Sequence, residues 1–253
     1  MPALKRIGTL FLAFALFLGL GFSASFSDVA DAFDPNVQLT YAHTKTIPGT
    51  PNPLSRLSGG IEVTNLSPTK QVKVVYTTGG GIWLEQSASY VTSVAGGYEA
   101  WNFDIDAPLA STFEFAIKYE VNGQTYWDNN NGSNYKVGGA TQPDKILSKA
   151  ALKLYESSYY SNRSGLYVGG KVYLKNIAPT KTVNIVYSYD NWATVLTASA
   201  TYDSAVPNSS NAFEIWNFNF SATGQPIKFA ISYTVSGVTY WDNNNGANYS
   251  LVF

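Results

Sequence analysis

The chain lacks cysteine, and it contains a single histidine, His43, among its 253 residues. Without cysteine no disulfide can form, so each folded unit must be stabilised by its own apolar core. A Ser-His-Asp hydrolase site would have to use His43, and the sequence has no G-x-S-x-G motif to supply the nucleophile. Hydrolysis by such a triad is therefore not expected.

Charge is also scarce in this sequence. Charged residues make up 13% of the chain, the net charge is -1, and no basic run follows the N-terminal segment. Proteins that bind nucleic acid or an acidic membrane surface normally present a basic patch, so neither is an expected partner. Hydrophobic residues at 45% and aromatic residues at 15% indicate a folded, β-rich protein rather than a disordered one.

The N-terminal segment has the three parts of a secretory signal peptide. Lys5 and Arg6 supply positive charge, residues 9–22 form an apolar run, and small residues follow. The run is shorter than the ~20 residues that a membrane-spanning helix needs, so an uncleaved anchor is the less favoured alternative. We expect a signal peptide over residues 1–25, or over 1–32 with the later cleavage point, and a secreted, extracellular protein.

One sequence unit occurs twice. YWDNNNGSNY at residues 126–135 returns as YWDNNNGANY at 240–249. Three further blocks recur in the same order: VTNLSPTKQVKVVY with LKNIAPTKTVNIVY, EAWNFD with EIWNFN, and FEFAIKYEVNGQTYWD with IKFAISYTVSGVTYWD. A unit of about 100 residues is a whole domain rather than a solenoid repeat. We predict a first domain over 34–137, a linker containing Gly and Pro over 138–145, and a second domain over 146–253.

Each copy shows the two-residue periodicity of half-buried strands. In KFAISYTV, apolar Phe229, Ile231 and Tyr233 alternate with smaller or polar residues, and FEFAIKYEV repeats the pattern. Asn122-Gly123 and Ser236-Gly237 are typical of tight hairpin turns. No sustained helical stripe follows the N-terminal segment. The sequence therefore predicts an all-β protein made of two tandem antiparallel β-sandwiches.

The six tryptophans form three equivalent pairs. Trp101 and Trp216 share a strand face with a phenylalanine two residues later, which predicts a core position without a function. Trp127 and Trp241 each follow a tyrosine. Because neighbouring residues on a strand face opposite ways, one ring of each Tyr-Trp pair must leave the core, and periodicity leaves open which one.

Trp83 and Trp192 come after Gly, Asp and Asn residues past the end of a strand, which favours loop positions. The alternative is that these rings fold back over the sandwich edge. An exposed ring stacks on the apolar face of a pyranose and, by analogy with base stacking, contributes on the order of 1–3 kcal/mol. Asparagine offers two donors and one acceptor to adjacent sugar hydroxyls, although an asparagine run can also simply shape a loop.

The segments NIAPTKTVNIVYSYDNW, EIWNF and KFAISYTVSGVTYWDNNNGANY, with their first-copy counterparts, resemble carbohydrate-binding module family 21. This family includes the starch-binding domain of Rhizopus-type fungal glucoamylase and the glycogen-targeting subunits of protein phosphatase 1. The resemblance implies an immunoglobulin-like sandwich that binds α-1,4-glucans (starch, amylose, glycogen and maltooligosaccharides) without hydrolysing them and without a cofactor or metal.

The resemblance also implies a main carbohydrate site in each copy, made of two tryptophans and two asparagines: Trp83, Trp127, Asn129 and Asn134, then Trp192, Trp241, Asn243 and Asn248. A third family aromatic falls on Ala116 and Ala230, so that part of the platform is missing. The first copy also departs from the family in its tryptophan loop, where TTGGGIW replaces YDNW.

A secondary carbohydrate site is implied by the same resemblance: Asn65, Lys70, Tyr90 and Glu99, then Asn176, Lys181, Tyr202 and Glu214. The family's stacking aromatic falls here on Pro68 and Pro179. We therefore expect this site to be weak or absent unless Tyr90 and Tyr202 replace that ring. Asn131 and Asn248 lie in Asn-x-Ser sequons, and a glycan on Asn248 would obstruct the main site.

These observations favour a non-catalytic binder whose two copies act by avidity, since linking two weak sites raises the apparent affinity. A glycoside hydrolase needs two carboxylates flanking a cleft, whereas each Asp-Asn-Asn-Asn loop offers one carboxylate in its own domain. The alternative is a targeting or scaffolding subunit that tethers an extracellular amylolytic enzyme to starch, with an amylase as its partner. A phosphatase-docking segment (basic residue, Val, any residue, Phe) is not evident in the sequence.

Overall fold

The computed structural model describes residues 35–49 and 51–252. The predicted signal peptide lies outside these ranges, so its assignment stays a prediction. Within them, no helix has the length and apolar character that crossing a membrane requires.

Each copy folds into two antiparallel sheets, which confirms the all-β prediction of two tandem sandwiches. The strands of the first module are β1 (Val37–Ile47), β2 (Leu54–Thr64), β3 (Lys70–Thr77), β4 (Leu84–Ser87), β5 (Ser89–Val94), β6 (Tyr98–Pro108), β7 (Thr112–Val121), β8 (Gln124–Asp128) and β9 (Tyr135–Gly138). A short strand, β10 (Lys145–Leu147), follows. The strands of the second module are β11 (Leu152–Asn162), β12 (Gly165–Lys175), β13 (Lys181–Ser188), β14 (Leu196–Ser199), β15 (Thr201–Ala205), β16 (Phe213–Ala222), β17 (Ile227–Val235), β18 (Val238–Asp242) and β19 (Tyr249–Leu251).

The sheet order is the same in both modules apart from β10. The inner sheets run β10-β1-β2-β6-β5 and β11-β12-β16-β15. The second sheets, here called the binding sheets, run β4-β3-β7-β8 and β14-β13-β17-β18, with β9 pairing with β7 and β19 with β17. The motifs named above therefore lie at equivalent places in the two modules.

Strand periodicity places the core as the sequence predicts. Phe229, Ile231 and Tyr233 are fully buried, and they pack in the apolar cluster of the second module. The hairpin between β7 and β8 turns at Asn122 and Gly123, which both have positive φ, 52° and 73°. Two successive positive φ values are typical of a type I′ turn, which matches the twist of the flanking strands.

The segment between the modules is part of the folded structure. Strand β10 pairs with β1, with His43 opposite Lys145 and Tyr41 opposite Leu147. The ring of His43 also contacts the ring of Tyr155 on β11 at 5.3 Å. Lys45 donates a hydrogen bond to the Tyr155 carbonyl at 3.0 Å. These contacts pack the two modules directly against each other.

Candidate functional site

A buried carboxylate anchors the asparagine loop of the first module. Asp128 accepts hydrogen bonds from the Leu39 amide at 2.7 Å and from the Tyr135 hydroxyl at 2.8 Å, and it is almost inaccessible to solvent. Burial raises the pKa of the Asp128 carboxyl, while these hydrogen bonds oppose the increase. Burial and the neighbouring Asp128 charge raise the pKa of Tyr135. The Asp and Tyr of the repeated motif thus hold the loop against β1.

The asparagine run gives the loop its shape. Asn130, Asn131 and Asn134 all have positive φ, 52°, 56° and 53°. Asparagine tolerates this left-handed conformation better than most residues. The side-chain oxygen of Asn129 accepts the Gly132 amide at 2.9 Å, and its carbonyl accepts the Asn134 amide at 2.8 Å. The sequence left open whether these asparagines shape the loop or bind a sugar. Their backbone conformations and hydrogen bonds show that many of them shape the loop.

The second module repeats this arrangement with one addition. Asp242 accepts hydrogen bonds from the Leu154 amide and the Tyr249 hydroxyl, both at 2.7 Å. Lys153 also approaches this carboxylate, at 3.4 Å. The asparagines at equivalent positions again have positive φ: Asn244, Asn245 and Asn248 at 54°, 55° and 59°.

In both Tyr-Trp pairs the tryptophan faces solvent. Trp127 is 43% exposed and Trp241 is 54% exposed. Tyr126 and Tyr240 instead pack against the two cores. Trp241 lies opposite Ser232 on β17, so it shares the outer face of the binding sheet with that side chain.

The other two tryptophans lie on loops between the first two strands of each binding sheet. Trp83 is 45% exposed and follows Gly79, Gly80 and Gly81, which all have positive φ. Trp192 is half-buried and has a φ of 73°. The two equivalent loops therefore hold their tryptophans in different ways.

Hydrogen bonds tie the Trp192 loop to its sheet. The Ser188 hydroxyl accepts the Trp192 amide at 2.8 Å. Asp190 accepts the Thr194 amide at 2.8 Å, and this bond, together with hydrogen bonds from side-chain hydroxyls, lowers its pKa to about 2. Lys228 donates to the Asn191 side chain at 2.7 Å, which fastens the loop to β17.

Strand β17 connects the implied main-site residues of the second module. Lys228, Ala230 and Ser232 alternate along its outer face, next to the Trp192 loop at one end and Trp241 at the other. Strand β19, which follows Asn248, pairs with the Lys228 end. Asn243 directly follows the strand that carries Trp241. The Trp192 loop, Trp241 and the strand after Asn248 thus all adjoin β17.

In the first module, Glu114, Ala116 and Lys118 alternate along the equivalent face of β7, and Trp127 lies opposite Lys118. The side-chain amide of Asn134 donates a hydrogen bond to Glu114 at 2.9 Å. This hydrogen bond lowers the pKa of the Glu114 carboxyl. Lys228 replaces Glu114 in the second module and bonds to Asn191 instead.

The implied secondary-site residues form a compact cluster in each module. In the second module the Lys181 ammonium lies 2.5 Å from the Asn176 side-chain oxygen and 2.8 Å from Glu214. In the first module, Lys70 contacts Asn65 at 2.5 Å and Glu99 at 2.8 Å. These polar groups satisfy one another, so fewer of them are free to bind a sugar.

Trp101 and Trp216 also belong to these clusters, which corrects the prediction of a purely core role. Both rings are partly buried, and their indole N–H groups donate to Glu99 at 3.2 Å and to Glu214 at 2.9 Å. The E-x-W spacing could have indicated this contact, because residues two apart share a strand face.

Tyr90 and Tyr202 lie beside these tryptophans. Tyr90 stands edge-on to Trp101 with ring centroids 5.8 Å apart, and Tyr202 stands edge-on to Trp216 at 6.2 Å. Both tyrosines are more than half exposed. Each module thus places an accessible aromatic ring at its polar cluster.

The described residues contain no group of three His, Cys, Asp or Glu side chains placed to hold a metal ion.

Comparison with known proteins identifies related domains. The family model of the carbohydrate/starch-binding module, family 21, matches residues 35–138 and again 147–252. Glucoamylase 1 of Rhizopus oryzae is 44% identical over 110 residues, which cover 42% of this chain and 17% of that protein. Glycogen-binding subunit 76A of Drosophila melanogaster is 37% identical over 87 residues, covering 32% of this chain and 12% of that protein. Human protein phosphatase 1 regulatory subunit 3B is 36% identical over 90 residues, covering 32% of this chain and 31% of that protein.

Two solved structures are also similar to parts of the chain. The starch-binding domain of Rhizopus oryzae glucoamylase, in complex with beta-cyclodextrin and maltoheptaose, has 35% identity and a TM-score of 0.35, covering 43% of this chain and 98% of that chain. The carbohydrate-binding module of the muscle glycogen-targeting subunit of protein phosphatase-1 has 32% identity and a TM-score of 0.32, covering 40% of this chain and 75% of that chain. Because the family model matches both repeats, this chain belongs to family 21 of the carbohydrate/starch-binding modules and contains two of them.

Proposed function

We propose that this protein is a secreted, non-catalytic binder of α-1,4-glucans in which both modules contact the same polysaccharide. The observation that carries the proposal is the repeated placement of indole rings. Each module has an exposed tryptophan on the outer face of its binding sheet and a second tryptophan on the adjoining loop. An asparagine loop lies next to both.

This arrangement suits a neutral glucan. A pyranose ring presents an apolar face to an indole ring, and each stacking contact contributes on the order of 1–3 kcal/mol. Asn129 and Asn243 lie two residues after the exposed tryptophans, where their side-chain NH2 groups can meet sugar hydroxyls. The match of the carbohydrate/starch-binding family model to both modules supports the same ligand class.

The contacts between the modules favour avidity with a defined geometry. His43, Tyr155 and Lys45 join β1 to β11 directly, so the two sites have a fixed separation. A second binding event in such an arrangement is intramolecular, which raises the apparent affinity for a polymer that reaches both sites. A polymer with many sites is therefore expected to bind more tightly than a short oligosaccharide.

Catalysis is not part of the proposal. Asp128 and Asp242 belong to different modules, and each is buried and accepts hydrogen bonds from groups of its own module. Glycoside hydrolysis normally requires a pair of carboxyl groups, one on each side of the glycosidic bond that is cleaved. Purified protein incubated with soluble starch is expected to release no reducing sugar, and measurable release would overturn this part of the proposal.

A starch pull-down tests the sites directly. Trp192→Ala and Trp241→Ala, and Trp83→Ala and Trp127→Ala, are each expected to reduce the fraction of protein retained on granular starch. Tyr159→Ala is a control, because Tyr159 is an exposed aromatic residue on β11, in the sheet that does not carry these tryptophans. Normal retention of all four folded tryptophan variants would contradict the site assignment.

Secretion is tested by the N-terminus of protein recovered from culture medium. A start at Phe26 or Phe33 would support the proposed signal peptide, and recovery only in the cell pellet would contradict it. The same sample reports on glycosylation. Asn131 is exposed and Asn248 is half-buried, so Asn131 is the more accessible acceptor.

A second candidate function is a targeting subunit that tethers an enzyme to the glucan. It is favoured by relatives named as a glycogen-binding subunit and as phosphatase regulatory subunits. The partner proposed here is an extracellular amylase. Affinity capture from culture medium that recovers a stoichiometric enzyme would favour this candidate, whereas capture of the protein alone would favour the simple binder.

A further inference from the structure

A cleft of about 620 Å³ lies where the two modules meet. Residues of the first module's asparagine loop form one wall, and Lys175 and Phe213 of the second module form the other. The segment between the modules, including Gln142 and Ser148, lies between these walls. The volume is within the range of small-molecule sites in proteins, which is roughly 300–1,000 Å³.

The first wall continues the main-site region of the first module. Asn134, one of its implied sugar contacts, lines the cleft together with Ser133. Tyr135, the next residue, brings its hydroxyl within 3.1 Å of the Ser148 hydroxyl. The asparagine loop is thus in contact with the connecting segment that borders the cleft.

The second wall consists of Lys175 and Phe213 of the second module. Phe213 lies opposite Lys175 in the sheet, so the two side chains share one face. Lys175 also donates a hydrogen bond to the Ser148 carbonyl of the connecting segment. The cleft therefore extends from the asparagine loop of one module to Lys175 and Phe213 of the other.

Hydrogen bonds hold the connecting segment in place. The Asn208 side chain of the second module donates to the carbonyls of Ala140 at 3.2 Å and Gln142 at 3.3 Å. The Gly138 amide donates to the Pro143 carbonyl at 2.8 Å. Since both modules bind this segment, the cleft is formed before any ligand arrives, which lowers the entropic cost of binding.

Phe213 supplies the apolar surface that a sugar ring needs. It is half-buried, packs against the core of the first module, and lines the cleft. Its counterpart in the first module is Tyr98, and the ammonium of Lys149 lies over that ring at 4.7 Å. The two equivalent aromatic residues thus have different surroundings, and Phe213 is the one in the cleft.

We propose that the cleft is an additional glucan subsite, in which one chain passes from the first module's asparagine loop across the connecting segment to Phe213 of the second module. This inference rests on the proposed function of the modules as glucan binders. The ligand is a neutral α-linked gluco-oligosaccharide. Its sugar face stacks on Phe213, and its hydroxyls bind the polar groups of Ser133, Asn134 and Gln142.

Calorimetric titration of the whole protein with linear maltooligosaccharides of increasing length tests this subsite. In the wild type, affinity should rise further once a chain is long enough to enter the cleft from the first module. Phe213→Ala should weaken binding of the longest chains by about tenfold, the equivalent of one stacking contact. Maltotriose, which is short enough to be held at a main site alone, should bind Phe213→Ala and the wild type equally.

Two further variants keep the test decisive. Tyr98→Ala removes the equivalent ring outside the cleft and should leave the chain-length dependence intact. Gln142→Ala keeps the carbonyl that binds Asn208, and it should weaken long-chain binding about threefold through the lost hydrogen bond. If Phe213→Ala does not fold, the Gln142→Ala measurement decides.

The outcomes separate this inference from the proposed function. Normal maltotriose binding with no long-chain loss in folded Phe213→Ala and Gln142→Ala overturns the subsite alone. Failure of the wild type to bind any maltooligosaccharide overturns both. A long-chain loss of the same size in Tyr98→Ala would also overturn the subsite, because that ring lies outside the cleft.

Discussion

The two binding sheets share one fold but present different outer faces. In the first module, Lys73 pairs with Glu85 at 3.0 Å, and Lys118 pairs with Glu85 at 3.1 Å and with Glu120 at 3.0 Å. Lys118 also lies 6.0 Å from the centre of the Trp127 ring. A charged network thus surrounds the exposed tryptophan of this module.

In the second module, neutral residues occupy all four equivalent positions: Asn184, Thr197, Ser232 and Thr234. The Ser199 hydroxyl donates to Asn184 at 3.0 Å, and no ammonium group among the described residues is placed over Trp241. In the proposed sites, a sugar that stacks on Trp127 would compete with Lys118, whereas no described ammonium group would compete for Trp241. We infer that the second module is the stronger glucan site.

The tryptophan loops differ in the same direction. The Trp192 loop is held by hydrogen bonds that Ser188 and Asp190 accept and that Lys228 donates, whereas three glycines precede Trp83. Glycine loses more conformational freedom on ordering than other residues. Fixing Trp83 against a sugar therefore costs more than fixing Trp192.

The largest expected effect concerns a feature that the two modules share, the buried aspartate that anchors each asparagine loop. Asp242→Ala and Asp128→Ala should each lower the free energy of unfolding by about 3 kcal/mol, because each leaves a buried amide and a tyrosine hydroxyl without their acceptor. Urea denaturation measures this loss. Asp106→Ala is the control, since its pair with Arg56 lies at the surface and is worth less than about 1 kcal/mol. Equal losses in all three variants would contradict the anchoring role.

The next largest effect compares the contributions of the two exposed tryptophans to glucan affinity. Trp241→Ala should weaken maltoheptaose binding by about 30-fold. Trp127→Ala should weaken it by less than about tenfold, because the Lys118 ammonium already lies near the Trp127 ring. Titration calorimetry of both variants measures the difference. A larger loss in Trp127→Ala would reverse the inferred ranking of the modules.

A third prediction concerns a residue that only the first module has. Burial and the positive charges of Lys45, Lys145 and Lys153 lower the pKa of His43 from 6.5 to about 3. Tyr41, Tyr155 and Tyr173 also surround this ring. The unfolded chain then binds the proton more readily, so stability is fully present above about pH 6.5 and declines as the pH falls towards 3.

Between neutral pH and pH 5, this effect should remove about 2 kcal/mol from the free energy of unfolding. Denaturation curves at both pH values measure the change. His43→Gln removes the titrating group, so the variant should lose less stability than the wild type over the same interval. An equal loss would show that other groups control the acid sensitivity.

The smallest expected effect comes from exchanging the equivalent residues Lys118 and Ser232 between the two modules. Lys118→Ser gives the first module the residue of the second, and in a Trp241→Ala background it should strengthen maltoheptaose binding by about threefold. Ser232→Lys in a Trp127→Ala background should have the opposite effect. If neither exchange changes the affinity, the ion network is not the cause of the difference between the modules.

Local sequence was sufficient for the strands, their turns and the polar loop. Asn122-Gly123 has the chemistry of a type I′ turn by itself, and the period of two in β17 identifies its buried face. Local sequence did not determine which ring of each Tyr-Trp pair is buried. Tyr126 and Tyr240 face inward because the hairpin register pairs them with the buried rings of Tyr119 and Tyr233.

The sequence by itself thus determined the repeat, the sandwich fold and the family, because these depend on short-range periodicity and on motifs of consecutive residues. Only the tertiary structure decided which rings reach solvent, that Lys118 lies beside Trp127, and that Phe213 lines a cleft with Asn134. These features arise from contacts between strands far apart in the chain. No pattern within a single segment encodes such contacts, since they depend on sheet register and on how the two modules pack.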